Sequence, residues 1–308
     1  MDGSNAKVPV AAPAAVAKAQ GGLHAHAMAA AFLLLWCSGY PAGKLAVLHG
    51  GPFTVLFLRF AAAAAIFAAL ALAARVAWPG RRALAHSAVV GVLSLALSFG
   101  GVYEGLRLGV STGVSALFIG AVPLATALFA SFAGQRLGRW QWGGLALGFV
   151  GVLMVLGGRL DTTGGSAAGY FASLLGLLGL SLGTLYQKRH SSTIDLRVGL
   201  AVQHAVAAVA MAPLALLVER FQSDWSPTYL GAVGWIALVN SVGGFALLFA
   251  LIRRGAATDV AALFYLVPPI TAVMGYAVLG ERLALPMLPG FALVAFGIWL
   301  GTRREAVS

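Results

Sequence analysis

The sequence predicts an all-α polytopic membrane protein of about ten transmembrane helices, built as an inverted repeat of five plus five. Three observations point there. Of the 308 residues 60% are hydrophobic and 9% charged, where a soluble domain carries roughly 25% charge, and mean hydropathy is +0.91. Apolar windows of about 20 residues, each able to cross about 30 Å of hydrocarbon, follow one another with short polar breaks. Finally, the two halves of the chain align on each other without a gap over their closing segments.

The windows run in order as follows. Ala29 to Leu48 holds Trp36, Cys37 and Tyr40, with Lys44 near its end. Phe53 to Ala77 opens behind Pro52, a residue suited to the first turn of a helix, and carries Arg59. Ala85 to Leu106 contains Tyr103 and Glu104, Val110 to Ala133 contains Pro123, and Trp142 to Leu156 ends the first half. In the second half, Gly169 to Gln187 carries Tyr186, Val198 to Val218 carries Gln203 and His204, and Tyr229 to Ile252 carries Trp235 and Asn240. Ala256 to Leu279 holds Phe264, Tyr265, Pro268 and Pro269, and Leu285 to Leu300 closes the set. The fifth and tenth windows are the shortest. Residues 1–27, Ala-rich with Lys7 and Lys18, are expected as a disordered cytosolic tail, 28–160 as the first five-helix repeat and 168–303 as the second.

The net charge of +11 forms no continuous patch; basic residues arrive singly or in short clusters between apolar runs, so they read as a topology signal rather than a nucleic-acid surface. With the N-terminus inside, cytoplasmic segments hold Lys7, Lys18, Arg75, Arg81, Arg82, Arg136, Arg139, Lys188, Arg189, Arg197, Arg253, Arg254, Arg303 and Arg304. Outer segments hold only Lys44, Arg107, Arg159, Arg220 and Arg282. This asymmetry puts both termini in the cytoplasm of a bacterial inner membrane, and a helix count off by one would destroy it.

One constant offset lays Arg107-Leu-Gly109 on Arg253-Arg-Gly255, Ala116-Leu-Phe118 on Ala262-Leu-Phe264, Pro123 on Pro269, Gly134-Gln-Arg-Leu137 on Gly280-Glu-Arg-Leu283, Gly144 on Gly290 and Gly151 on Gly297. A slightly different offset pairs Gly39 with Gly183, Lys44 with Lys188 and Arg59 with Gln203. Each half has an odd number of spans, so the second enters the membrane from the opposite side, an architecture suited to alternating access.

Lys44 ending the first helix, Pro52 and Arg59 opening the second, and the Ala-Leu-Phe, Pro, Gly-x-Arg-Leu and Gly blocks closing each half resemble the EamA-domain branch of the drug/metabolite transporter superfamily over essentially the whole chain. The family's second-half Glu is matched by Glu281, whereas the first half carries Gln135 at the corresponding place. The resemblance implies ten helices around a central cavity and export of amino acids or related metabolites.

Arg59 is the most informative residue, since a guanidinium inside the membrane costs about 2.5 kcal/mol or more unless it faces water, a partner or a cavity. Either it attracts an anionic group of a substrate, or it serves a structural ion pair or snorkels outward; Glu104 is the expected partner. Lys44 is read as an ion-pairing residue or an interfacial anchor. Trp36 and Tyr40, one turn apart and so on one face, with Tyr103, Tyr186, Trp235, Phe264 and Tyr265, either grip a substrate by stacking or pack against lipid and neighbouring helices. Gln203 and Asn240 are candidate cavity residues, and His204 and Asn240 could equally bond a neighbouring helix. Pro123, Pro268 and Pro269 are candidate hinges or static kinks. The GxxxG pairs Gly39/Gly43, Gly101/Gly105, Gly144/Gly148 and Gly179/Gly183 point to close helix packing within the chain.

No HExxH zinc helix, P-loop or paired Asp within a span is present, which argues against an intramembrane enzyme and direct nucleotide drive. The single Cys37 offers no disulfide or thiolate metal site. The expected partners are a small-molecule substrate and the lipid bilayer, with no cofactor, metal or nucleic acid, in a monomer or weak homodimer. The leading reading is a secondary transporter that exports small metabolites such as amino acids, large apolar or aromatic ones included. The alternatives are a multidrug or other solute carrier and a lipid-scrambling or structural protein.

Overall fold

Proline and glycine punctuate a chain that is otherwise helical. The computed structural model describes residues 13–132, 134, 137–157, 165–191, 194–247, 251, 263–282 and 288–302. Among these the helices are α1 (Pro13–His49), α2 (Pro52–Ala73), α3 (Arg81–Arg107), α4 (Thr112–Phe132), α5 (Arg139–Gly157), α6 (Ala167–His190), α7 (Leu196–Leu217), α8 (Pro227–Leu247), α9 (Val267–Leu279) and α10 (Leu288–Thr302). The only β pairing among the described residues is an isolated bridge, Gly50 to Ser223.

Among the described residues seven stretches are long and apolar enough to cross a membrane: Ala27–His49 of α1, and α2, α3, α4, α6, α7 and α8; α9 and Leu288–Gly301 of α10 are shorter apolar helices. Large apolar side chains such as Val209, Leu217 and Phe132 stand exposed on the outside, as a lipid-facing surface requires. The tail expected over 1–27 is helical from Pro13 onward, where α1 continues upstream of its apolar span. An Ala-rich segment with Pro in its first turn has the composition of a helix rather than of a solvated coil.

The ends of the helices follow local chemistry. Pro52 and Pro227 open α2 and α8; the Ser166, Asp195 and Ser226 side chains cap α6, α7 and α8 by accepting from Gly169 N, Arg197 N and Tyr229 N. α9 stops at Gly280, whose φ of 66° only glycine adopts without strain. α4 is broken at Ala121, just before Pro123, and α9 starts at Val267 with Pro268 and Pro269 in its first turn behind a 3-10 turn, Phe264–Leu266. Of the three expected hinges, Pro123 thus follows a break while Pro268 and Pro269 begin a described helix, where a missing N–H costs nothing.

Two helices widen into π geometry, α3 over Gly91–Leu97 and α8 over Trp235–Gly244. Each buries one side, Ser94 and Leu95 in α3 and Asn240 and Ser241 in α8, and such turns recur at functional sites. α2 packs on α7, α3 on α6, and α5 on α10. In the last pair the backbones touch: a Cβ on Gly144 would meet Gly297 O at 2.4 Å, and one on Gly151 would meet Gly290 O at 2.8 Å.

At one end of the bundle side chains tie the helix termini together. Here the C-termini of α1, α3, α7 and α9 meet the N-termini of α2, α4, α6 and α8. Glu219 accepts from Phe53 N (2.9 Å), Thr54 N (2.7 Å) and Thr54 Oγ1 (2.7 Å), a carboxylate set on the positive end of α2. Glu281 does the same for α4, taking Thr112 Oγ1 at 2.7 Å and Thr112 N at 3.1 Å, and it pairs with Lys44 Nζ at 2.9 Å. His49 and Asp224 join α1 to the turn before α8 at 2.6 Å.

Candidate functional site

A cavity of about 300 Å³ lies between α1, α2, α3, α6, α7 and α8, at the lower end of the range of small-molecule sites, about 300 to 1,000 Å³. Its lining descends from Gln187, Ser191 and Ile194, where α6 gives way to α7, down to Arg59, Asn240 and Tyr103. The lining thus reaches the α6–α7 turn, at the end opposite the Glu219 and Glu281 ties.

Arg59 is only 3% exposed. Its Nε donates to Ser241 Oγ (2.9 Å), its Nη1 to Tyr103 Oη (2.9 Å) and its Nη2 to Asn240 Oδ1 (3.0 Å). The guanidinium carbon sits 4.3 Å from the centre of the Phe99 ring, a cation–π contact. Asn240 is itself fixed, donating through Nδ2 to Leu35 O (3.0 Å) and Trp36 O (3.1 Å). Ser241 donates to Ile236 O (2.9 Å) within the π stretch of α8. The π geometry thus presents two adjacent residues to one guanidinium.

Close approach of α1 depends on two glycines. A Cβ on Gly39 would lie 2.5 Å from Asn240 Nδ2, and one on Gly43 would lie 2.8 Å from Tyr103 Oη. The Gly39/Gly43 pair therefore makes room for two of the three side chains that hold Arg59.

The expected pairing of Arg59 with Glu104 does not form. Glu104 is taken by Arg107 three residues on, whose Nε lies 2.7 Å from Oε2, because residues three apart on a helix face each other. Lys44 pairs not with Glu104 but with Glu281, and also donates to Val110 O at 2.9 Å.

Of the other sequence-selected residues, Trp36, Tyr40, Tyr103, Gln203 and Asn240 line the cavity with Arg59. Phe264 lies behind the wall, edge-on to Trp36 at 5.5 Å and to Phe32 at 5.7 Å. Tyr186 is directed away from the lining to His86, with Oη 2.8 Å from Nδ1, and stacks on His190 at 4.4 Å. The side chain of Tyr265 lies outside the described residues. Trp235 bonds Ser38 Oγ at 2.9 Å and stands 43% exposed, outside the cavity. His204, 1% exposed, donates through Nδ1 to Leu200 O at 2.8 Å and packs on Phe60 and Phe67 behind the site.

Residues not foreseen are Phe99 and Ser241 at Arg59, the serines Ser87, Ser94 and Ser98 along α3, and Thr184, Gln187 and Ser191 toward the α6–α7 turn. The α3 serines recur at helical spacing, a polar stripe legible in the sequence. Asp195 in the α6–α7 turn is held below the usual carboxylate range by hydrogen bonds from Arg197. The stretch Gly109-Val-Ser-Thr-Gly113 has the letters of a nucleophile elbow, but it joins α3 to α4, whereas the elbow needs a strand-to-helix turn. Among the described residues no group of three or more His, Cys, Asp or Glu is placed to hold a metal ion.

The comparisons with known proteins agree with this architecture. A solved crystal structure superposes with a TM-score of 0.63 over 91% of this chain and 96% of its own, at 21% identity, a likeness of fold. YedA of Escherichia coli, named an uncharacterized inner membrane transporter, is 26% identical over 273 residues, covering 88% of each chain. A protein of Salmonella typhimurium named a probable amino-acid metabolite efflux pump is 24% identical over 87% of this chain and 91% of its own. The model of the EamA-like transporter family matches residues 24–157 and 167–303, and the chain belongs to that family of membrane transporters.

Proposed function

We propose that this chain is a secondary exporter of small metabolites, amino acids or close relatives of them, working by alternating access around the Arg59 cavity. The observation that carries this reading is the cavity: a polar-floored chamber whose lining runs from Arg59 to the α6–α7 turn, with the Glu219 and Glu281 ties at the opposite end. With both termini cytoplasmic, the side on which the charge asymmetry puts them, the α6–α7 turn faces the cytoplasm, the loading side of an exporter. The site residues in this reading are Arg59, Trp36, Tyr40, Tyr103, Gln203 and Asn240.

Ten spans in two inverted halves are part of the proposal, supported by reciprocal contacts. The offset that pairs Gly144 with Gly290 and Gly151 with Gly297 turns the contact Gly144 to Gly297 into Gly290 to Gly151, and both occur. Gly183, the counterpart of Gly39, likewise packs closely on a helix of the other half, where a Cβ on it would crowd Ser94 Oγ in α3. The two π stretches occupy matching places in α3 and α8. A second cleft, of about 370 Å³ between α4, α5 and α6, is lined by apolar groups such as Phe118, Leu124, Phe149 and Phe171. It suits an acyl chain rather than a moving headgroup, and so does not favour lipid transport.

The test is metabolite profiling of medium from intact cells that express the protein, against cells that carry an empty vector. Accumulation of amino acids or their relatives outside only the expressing cells is the expected result; identical profiles would sink the export reading. A finer check uses Gly39→Ala, which crowds Asn240 off Arg59 and removes a hydrogen bond to a charged group worth about 2 kcal/mol, for a transport loss of roughly 30-fold. Gly231→Ala, with open space around the new methyl group, should leave the rate unchanged at matched membrane abundance.

A further inference from the structure

We infer that the cargo carries a net negative charge: a carboxylate metabolite without a balancing ammonium, such as a 2-hydroxy or 2-oxo acid, rather than a zwitterionic amino acid. The inference rests on the proposed transport reading and names the substrate class of the same cavity.

Its basis is an inventory of charge. Every described carboxylate is already engaged: Glu104 by Arg107, Asp195 by Arg197, Glu219 by the N-terminus of α2, Asp224 by His49, and Glu281 by Lys44 and Thr112. None of them lines the cavity. Among the described residues Arg59 has only neutral partners, the Ser241 and Tyr103 hydroxyls, the Asn240 amide oxygen and the Phe99 ring face. Three of its five N–H groups are thereby occupied, leaving donors free for an incoming oxygen anion.

A buried guanidinium with no counter-ion among the described residues is a costly group in the membrane interior, and its neutral acceptors compensate it only in part. An anion that enters completes the pair in a low-dielectric chamber, where charge-assisted hydrogen bonds are strong. A zwitterion brings the same carboxylate and also an ammonium, which the Arg59 charge repels. No described carboxylate in the wall receives that ammonium. The hydroxyl or carbonyl oxygen of a hydroxy or oxo acid, by contrast, finds neutral donors and acceptors in Tyr40, Tyr103, Ser98 and Gln203, all of which line the cavity. Trp36, Phe99 and Phe245 add apolar wall for a side chain.

The experiment loads proteoliposomes of the full chain with an equimolar mixture of phenylalanine, leucine and their 2-hydroxy acid counterparts, phenyllactate and 2-hydroxyisocaproate. Mass spectrometry of the external medium records what leaves, against protein-free liposomes. Each pair differs only by hydroxyl in place of ammonium, so size and shape are held constant. The expected result is at least tenfold faster exit of the hydroxy acids, speeded further by an interior-negative membrane potential because each turnover moves one net negative charge. Amino acids leaving as fast as their counterparts, or exit indifferent to the potential, overturns the inference and leaves the transport reading standing. If none of the compounds leaves faster than from protein-free liposomes, the transport reading falls together with it. Arg59→Lys, which keeps the charge, is expected to retain part of the hydroxy-acid preference, whereas Arg59→Gln should abolish it.

Discussion

Replacing Arg59 by Ala is expected to cut transport by about 100-fold while leaving the amount of folded protein in the membrane close to normal. The magnitude comes from charge-assisted hydrogen bonds between the guanidinium and an anionic group, worth about 3 kcal/mol in all, at about 1.4 kcal/mol per factor of ten. The stability side has opposing contributions. Removing a charge that is only 3% exposed relieves a desolvation cost. It also strips Tyr103, Asn240 and Ser241 of a shared partner. Tyr103 and Asn240 line the cavity, and Asn240 and Ser241 keep their bonds to Trp36 O and Ile236 O, so the cost of losing Arg59 stays small. Transport normalised to membrane abundance, measured beside a thermal melt of the purified protein, separates the two effects. A large fall in melting temperature with proportionate loss of folded protein would instead assign Arg59 a structural role.

The burial of Arg59 inside the bundle was legible because a guanidinium in an apolar window is costly unless it faces water, a partner or a cavity. Trp36 and Tyr40 were legible as a pair because they lie one helical turn apart, and both line the cavity. The partners were not. Glu104 was the nearest acid at a matching depth, yet the i, i+3 geometry of a helix gives it to Arg107 before any long-range partner can compete. Lys44 finds Glu281 only because the chain brings α1 and the end of α9 together, which composition and hydropathy do not encode. The π stretches of α3 and α8 have no residue signature, since one extra residue per turn leaves the apolar period almost unchanged. They decide which side chains reach the cavity, and so Ser241 escaped notice while its neighbour Asn240 did not. The ninth window is described from residue 263 onward, as a 3-10 turn, Phe264–Leu266, followed by α9, Val267–Leu279.

The second large effect is expected at the tied end, where Glu281→Gln should destabilise the protein by about 3 kcal/mol, and Lys44→Met combined with Glu281→Gln by less than that single change. Glu281 follows the left-handed Gly280, and its own N–H bonds back to Gly275 O at 3.2 Å. This helix stop turns the carboxylate onto Thr112 at the start of α4 and onto Lys44, 2.9 Å away. Both side chains of the ion pair are only 14% exposed, so water offers little relief when one charge is removed. Gln keeps the shape and an acceptor for Thr112 but leaves the Lys44 ammonium with the Val110 carbonyl alone, and an uncompensated, largely buried charge is what makes breaking such a pair expensive. Removing both charges deletes that penalty, which is why the double variant should recover stability. A double-mutant cycle on thermal melts reads the coupling directly. Additive effects of the two substitutions would mean that Lys44 and Glu281 do not act as a unit. A positive coupling would identify a single tie holding α1, α4 and α9 together at the end that the proposed alternating access has to open, so under that proposal the same substitutions should ease opening there.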